Sequence, residues 1–172
     1  FQNSFNIFDS SLLFSSGFRY QKTEFQGRSA VNTNISGFAS TTAHSIYNVT
    51  DENTAYNLGL EKNINPFISI FVRHSTGFRN PNIDERIQAT TSGSLVLKDQ
   101  TSEDIEFGVR SERNKTNLVA SVFLMDTENE IQYNQSVNTN LDPIERIGFN
   151  IDSNYQINDK NNLKASLSFI NA

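Results

Sequence analysis

Apolar and polar side chains alternate with a period of two along most of this chain, and helical periodicity is nearly absent. In the stretch 147–157, Ile147, Phe149, Ile151, Tyr155 and Ile157 share one parity with Ser153, while Gly148, Asn150, Asp152, Asn154 and Gln156 hold the other. A period of two puts successive side chains on opposite faces of a β-strand. Leu163, Ala165, Leu167 and Phe169 repeat the pattern against Lys164, Ser166 and Ser168. The cluster 158–162 between the two runs consists of turn-forming residues, so the pair reads as a hairpin.

The same unit recurs upstream. Ile105, Phe107 and Val109 oppose Glu106, Gly108 and Arg110, and Asn114-Lys115 turns the chain into a long strand expected over 117–133. Tyr56, Leu58 and Leu60 oppose Asn57, Gly59 and Glu61, before Asn63-Ile64-Asn65-Pro66 turns into a strand over 67–78. Leu12, Phe14, Phe18 and Tyr20 share a face in a strand over 12–25, preceded by a short strand at 5–8. The pattern predicts an antiparallel meander of about eight strands.

The connections alternate in length. Tight turns fall near residues 8, 62, 113 and 157, and long polar segments, expected to be loops, fill 26–53, 79–101 and 134–143. A soluble β-sandwich has no reason to place every long connection at one end. A transmembrane barrel does, with short turns on its periplasmic side and long loops outside. The expected fold is therefore all-β, part of the wall of a transmembrane β-barrel. The chain opens at Phe1 and ends at Ala172 inside an apolar alternation, and is expected to be a slice of a longer wall.

Composition agrees with this once lipid is treated as the solvent. No apolar run reaches the ~18 residues of a spanning helix, but a spanning strand needs only about 9–11, half of them facing lipid. A mean hydropathy of −0.48 is what polar lumen-facing residues and outer loops produce when they dilute an apolar stripe. Phe occurs 14 times and Tyr 5, which suits a lipid-facing surface with interfacial girdles. The net charge of −5, with basic residues scattered, excludes the concentrated basic face that nucleic acid requires. Cysteine is absent, so there is no disulfide frame and no thiolate metal site.

Other candidate chemistry is thin. His44 and His74 lie far apart with no acidic or thiol ligand at a recognised spacing, and His74 reads as an interfacial residue rather than a metal ligand. His74-Ser75 offers two of the residue types of a hydrolytic site but no third partner, so no catalytic residues, metal or cofactor are expected. Asp99, Glu103, Asp104 and Glu106 lack the glycine and ligand spacing of a calcium loop. The sequons at Asn34, Asn48 and Asn114 read as chance matches in an Asn-rich chain.

One passage carries a resemblance. Residues 68–85 read ISIFVRHSTGFRNPNIDE, in which Gly77, Phe78, Arg79, Pro81 and Glu85 match a Gly-Phe-Arg-x-Pro-x-x-x-Glu signature. Leu97-Lys98-Asp99-Gln100-Thr101-Ser102 with Glu106-Phe107-Gly108, then Phe123 with Glu130-Ile131 on one strand, then Arg146-Ile147-Gly148 follow in order. This ordered set resembles the later barrel strands of TonB-dependent outer-membrane receptors. Asp99-Gln100 replaces the family's commoner Pro-Glu, and Asn150 stands where an acid is usual.

The resemblance implies that residues 1–172 are a partial receptor barrel domain, with the plug domain and terminal strand outside the chain, and that the parent barrel is 22-stranded. It implies a protein of the Gram-negative outer membrane that imports a scarce ligand, with an iron-siderophore favoured over haem or a cobalamin-like ligand. Its partners would be outer-membrane lipid and, through the plug, the TonB energy complex. Loop residues Arg28, His44, Tyr47, Arg86 and Tyr133 are expected to be able to touch cargo, Arg through anionic groups and Tyr through planar ones. Arg79 and Glu85 are expected to pair and order the loop mouth, or to meet the plug. A passive porin-like barrel and a secreted β-sandwich binding module are the alternatives.

Overall fold

A computed structural model describes residues 2–7, 11–33, 41–87, 97–134 and 137–172, with side chains described except at 5–7, 28–33, 41–47, 87 and 134. The elements in chain order are β1 (Gln2–Ile7), β2 (Leu12–Thr33), β3 (Thr41–Asn65), β4 (Ile68–Arg79), α1 (Ile83–Ile87), β5 (Gln100–Arg113), β6 (Thr116–Glu128), β7 (Ile131–Asn134), β8 (Val137–Asn140), β9 (Ile144–Asn158) and β10 (Asn161–Asn171). Eight strands form one sheet in the order β1-β2-β3-β4-β5-β6-β9-β10, and β7-β8 is a separate two-stranded ribbon. Every pairing is antiparallel. The expected meander is observed, as an open segment of barrel wall.

The register explains why these residues make a wall rather than a globule. Phe14, Leu60, Val72, Phe107, Val122, Phe149 and Phe169 pair directly in sequence across seven strands, so one apolar row runs across the sheet. Ile70, Val109, Ala120, Ile151 and Leu167 form the next row. These side chains do not pack on a second layer: Phe107 is 55% exposed, Val122 56% and Leu167 58%. Among the described residues the buried large hydrophobic side chains are Phe71 and Leu97 alone. Burying apolar surface at about 25 cal/mol per Å2 normally drives folding in water, and a face left open to this extent has no partner within the described residues.

Along β9 the outer face is apolar from Ile147 to Ile157 except at Ser153. Eleven residues rising about 3.3 Å each and tilted about 40° span roughly 28 Å, close to the apolar band of a transmembrane barrel. At the end of the sheet that carries the long connections the band stops within one rung. The paired row Ile105–Leu124–Ile147 is followed by the paired row Glu103–Asp126–Glu145.

The opposite face is polar and concave. It bounds a cavity of about 780 Å3 whose lining includes Ser15, Gly17, Asn57, Glu61, Arg73 and Arg110. Two aromatic rings interrupt it, each lying over a glycine on the next strand. Phe71 pairs with Gly108 and Phe123 with Gly148.

The connections differ from expectation in three places. Much of 26–53 is strand, not loop: β2 and β3 stay paired without a register shift from Leu12↔Lys62 to Thr33↔Thr41. Beyond the band both faces of a hairpin are wet, so the alternation fades while the ladder continues. The strand expected over 117–133 ends at Glu128, because Asn129 takes a left-handed conformation (φ 55°) and the chain turns into β7. Phe123 and Glu130-Ile131 are thus on separate elements, and 134–143 contains β8. Within 79–101 the chain forms the short helix α1. The tight turns near 62, 113 and 157 are as expected, and Asn114 holds its turn with φ 53°, whereas the turn expected near residue 8 lies outside the described residues.

Candidate functional site

The polar residues with the densest contacts gather where β4 leaves the sheet. Gly77 pairs with Ser102, and a Cβ there would lie 2.9 Å from the Ser102 Oγ. Arg79 ends the strand and donates from one guanidinium nitrogen to both Glu85 carboxylate oxygens, at 2.9 and 3.0 Å. Pro81, which cannot donate to a ladder, is buried just beyond the strand end. The Asn82 side chain accepts from the Glu85 N–H and the Glu85 carboxylate accepts from the Asn82 N–H, both at 2.8 Å. This reciprocal pair is a capping box, and it fixes the start of α1. Phe78 lies under the Arg19 guanidinium, 4.9 Å from its centroid. The five signature residues therefore form one junction that ends a strand and starts a helix.

Arg86 follows directly and is 2% exposed. Its guanidinium meets Asp51 on β3 at 2.5 Å and lies 3.8 Å from Asp99. Asn53 donates to the Asp99 carboxylate at 2.6 Å and to the Asn80 side-chain oxygen at 3.3 Å. Two buried polar atoms here, the Asn80 Nδ2 and the Asp99 Oδ1, have no hydrogen-bond partner. Arg86, expected among the loop residues able to touch cargo, is thus enclosed by carboxylates of the wall itself. Tyr133 is 60% exposed on the β7-β8 ribbon. Arg28, His44 and Tyr47 lie on β2 and β3, but their side chains are outside the described residues.

The ribbon is tied to the same junction. Asn138 donates to the Glu85 carbonyl at 3.3 Å. The Asn140 side chain accepts from the Lys98 N–H at 2.8 Å and donates to the Lys98 carbonyl at 3.1 Å. It also reaches the Asn129 carbonyl at 2.8 Å. Below it, Arg146 bonds Glu130 at 2.5 Å and Thr127 at 2.9 Å. Glu130 and Arg146 stand out singly in the sequence, but their pairing does not, because the partners are sixteen residues apart on two elements.

His74 sits on the apolar face at the edge of the band. Its Nε2 is 2.7 Å from Glu103, and its ring meets Tyr56 edge-on at 5.5 Å. Ser75 points the other way and bonds Asp104 at 2.6 Å, so the two side chains cannot act on one substrate. One turn of the pattern beyond Tyr20, Glu24 and then Glu52 bond the Lys22 ammonium and raise its pKa above the usual lysine value. Among the described residues no group of three or more His, Asp or Glu side chains is placed to hold a metal ion.

A one-layer antiparallel sheet with an apolar face, a polar concave face and all long connections at one end is the wall of a transmembrane β-barrel. The family model described as TonB dependent receptor-like, beta-barrel matches residues 1–171, and the chain belongs to that family. Among solved structures, the copper transporter OprC aligns with a TM-score of 0.74 at 13% identity, over 98% of this chain and 28% of its own. The alcaligin outer-membrane receptor FauA of Bordetella pertussis aligns at 0.65 and 16% identity, over 97% of this chain and 28% of its own. The hemophore receptor HasR of Serratia marcescens, solved with its hemophore HasA and heme, aligns at 0.63 and 17% identity, over 95% and 32%. Identities this low speak to the fold. The chain spans less than a third of the length of each of these three proteins. The search of curated proteins gave no match.

Proposed function

We propose that this chain is part of an outer-membrane TonB-dependent transporter that binds a scarce ligand at the cell surface and imports it actively. The observation that carries the reading is the apolar row from Phe14 to Phe169, exposed on one face of a sheet whose other face is polar. Family membership supports the rest of the reading, a plug domain in the parent barrel contacted by the TonB complex. The polar concave face is then the lumen lining that meets the plug.

The favoured ligand is an iron complex, most simply a ferric siderophore. Relatives of the same fold are described as receptors for alcaligin and for a heme-carrying hemophore, and as a copper transporter. The decisive experiment uses a strain lacking the full-length parent gene. Uptake of radiolabelled iron from a siderophore panel is compared with uptake of haem, cobalamin and copper, each with and without TonB. Restoration of iron-siderophore uptake by the parent gene, only when TonB is present, supports the proposal. Uptake independent of TonB would establish the porin alternative, and restoration of haem, cobalamin or copper uptake alone would replace the ligand.

A further inference from the structure

Three chain segments remote in sequence converge on the end of the wall that carries the long connections. They are the part of β3 near Asp51, residues 80–87 and 97–99 between β4 and β5, and residues 129–134 and 137–141, which hold the β7-β8 ribbon. What joins them is side-chain bonding rather than the sheet ladder. The Arg86 side chain, 3% exposed, is clamped between Asp51 and Asp99. Asn53 orients Asp99 from β3. Asn138 reaches the backbone of α1 at Glu85, and Asn140 grips both backbone groups of Lys98.

A buried guanidinium is tolerated only while its carboxylates stay in place. Two amide side chains that spend their hydrogen bonds on another segment's backbone lose them together when that segment moves. Contacts of this kind make a cooperative unit, which opens as a whole or not at all. We propose that residues 80–87 and 97–99 between β4 and β5, the β7-β8 ribbon and β3 around Asp51 form one cross-tied rim that opens as a single unit, with Arg86 as the residue that locks it. In a receptor, any closure over cargo then falls to connections outside this rim. That last clause rests on the transporter reading, whereas the lock is measured without cargo or TonB.

The test is hydrogen–deuterium exchange of the full-length parent receptor in detergent micelles, followed in peptides covering 80–87, 97–100 and 129–141. These contain the bonded amides of Asn82, Lys98 and Leu141. In the unmodified receptor all three peptides are expected to exchange slowly and at one common rate. Arg86→Gln should speed all three together by about tenfold or more, with the membrane peptides 105–109 and 147–151 unchanged and Arg86→Lys intermediate. A response confined to 80–87, or loop-like exchange of Lys98 in the unmodified receptor, would overturn the proposal. Should Arg86→Gln fail to assemble, Asn140→Ala cuts a tie far from the buried charge. It must still speed 80–87, and an unchanged rate there would also overturn the lock.

Discussion

The ring of Phe71 lies flat against the backbone of Gly108 on the neighbouring strand, so that a Cβ at Gly108 would come within 2.6 Å of the ring's Cε1. Phe123 covers Gly148 in the same way two strands further on, at 2.5 Å from its Cζ. Both rings are on the polar face, where an aromatic shields a glycine's bare backbone in a pairing familiar from β-sheets. The glycines are required by contact and not by backbone conformation.

Gly108→Val and Gly148→Val should each destabilise the receptor by about 1–3 kcal/mol through overpacking, against the Phe71 ring at Gly108 and against the Phe169 carbonyl as well as the Phe123 ring at Gly148. Gly77→Ala should be milder, because only the hydroxyl of Ser102 has to move. Urea unfolding of the full receptor refolded into micelles measures both. A neutral Gly108→Val would mean that the ring does not rest on this backbone.

The face assignment predicts a parity effect. Ile151→Arg or Leu167→Arg should cost roughly 2–4 kcal/mol if these positions face lipid at mid-depth. Asn150→Arg and Ser166→Arg, on the other face, should be much milder. The same unfolding measurement applies, and equal penalties at both parities would contradict the assignment.

Isolated in plain buffer, residues 1–172 should not fold stably. β1 and β10 end the sheet, each with one unpaired edge, and the apolar band has no partner in water. Light scattering should show aggregation. A sharp, reversible unfolding transition of this piece in plain buffer would count heavily against the wall reading.

At the strand–helix junction, Asn82→Ala removes the side chain that accepts from the Glu85 N–H and caps α1. Loss of a cap costs about 1 kcal/mol, which corresponds to roughly fivefold more of the opened junction. Trypsin cleavage after Arg86, followed by mass spectrometry, should quicken by about that factor. Unchanged cleavage would show that the cap does not hold the helix.

How much of this was legible in the sequence follows from solvent. Between Leu12 and Tyr20, or Ile147 and Ile157, one face is apolar and the other polar, and the period of two reports it directly. Beyond the band the same strands continue with water on both sides, so residues 26–33 and 41–53 looked like loop although they are paired. The junction was half legible. The Asn82-x-x-Glu85 spacing is a local signal for α1, and Arg79 and Glu85 were expected to pair or to meet the plug. The burial of Arg86 was not legible, because Asp51 lies thirty-five residues away and only the folded chain brings it close. Nor was the break at Asn129, since an asparagine in an otherwise strand-like run gives no sign of which backbone region it will occupy.

The β2–β3 hairpin runs on for thirteen residues past Tyr20 to Thr33, roughly 40 Å of paired backbone at about 3.3 Å per residue. On a cell surface, an antibody or a phage fibre descending from outside would touch that ribbon well before it reached the wall. Its residues would therefore answer to whatever probes the cell from outside, free of the lipid that dictates the strands below. Sequence drift between strains should gather there, with the membrane rungs of the same two strands holding still.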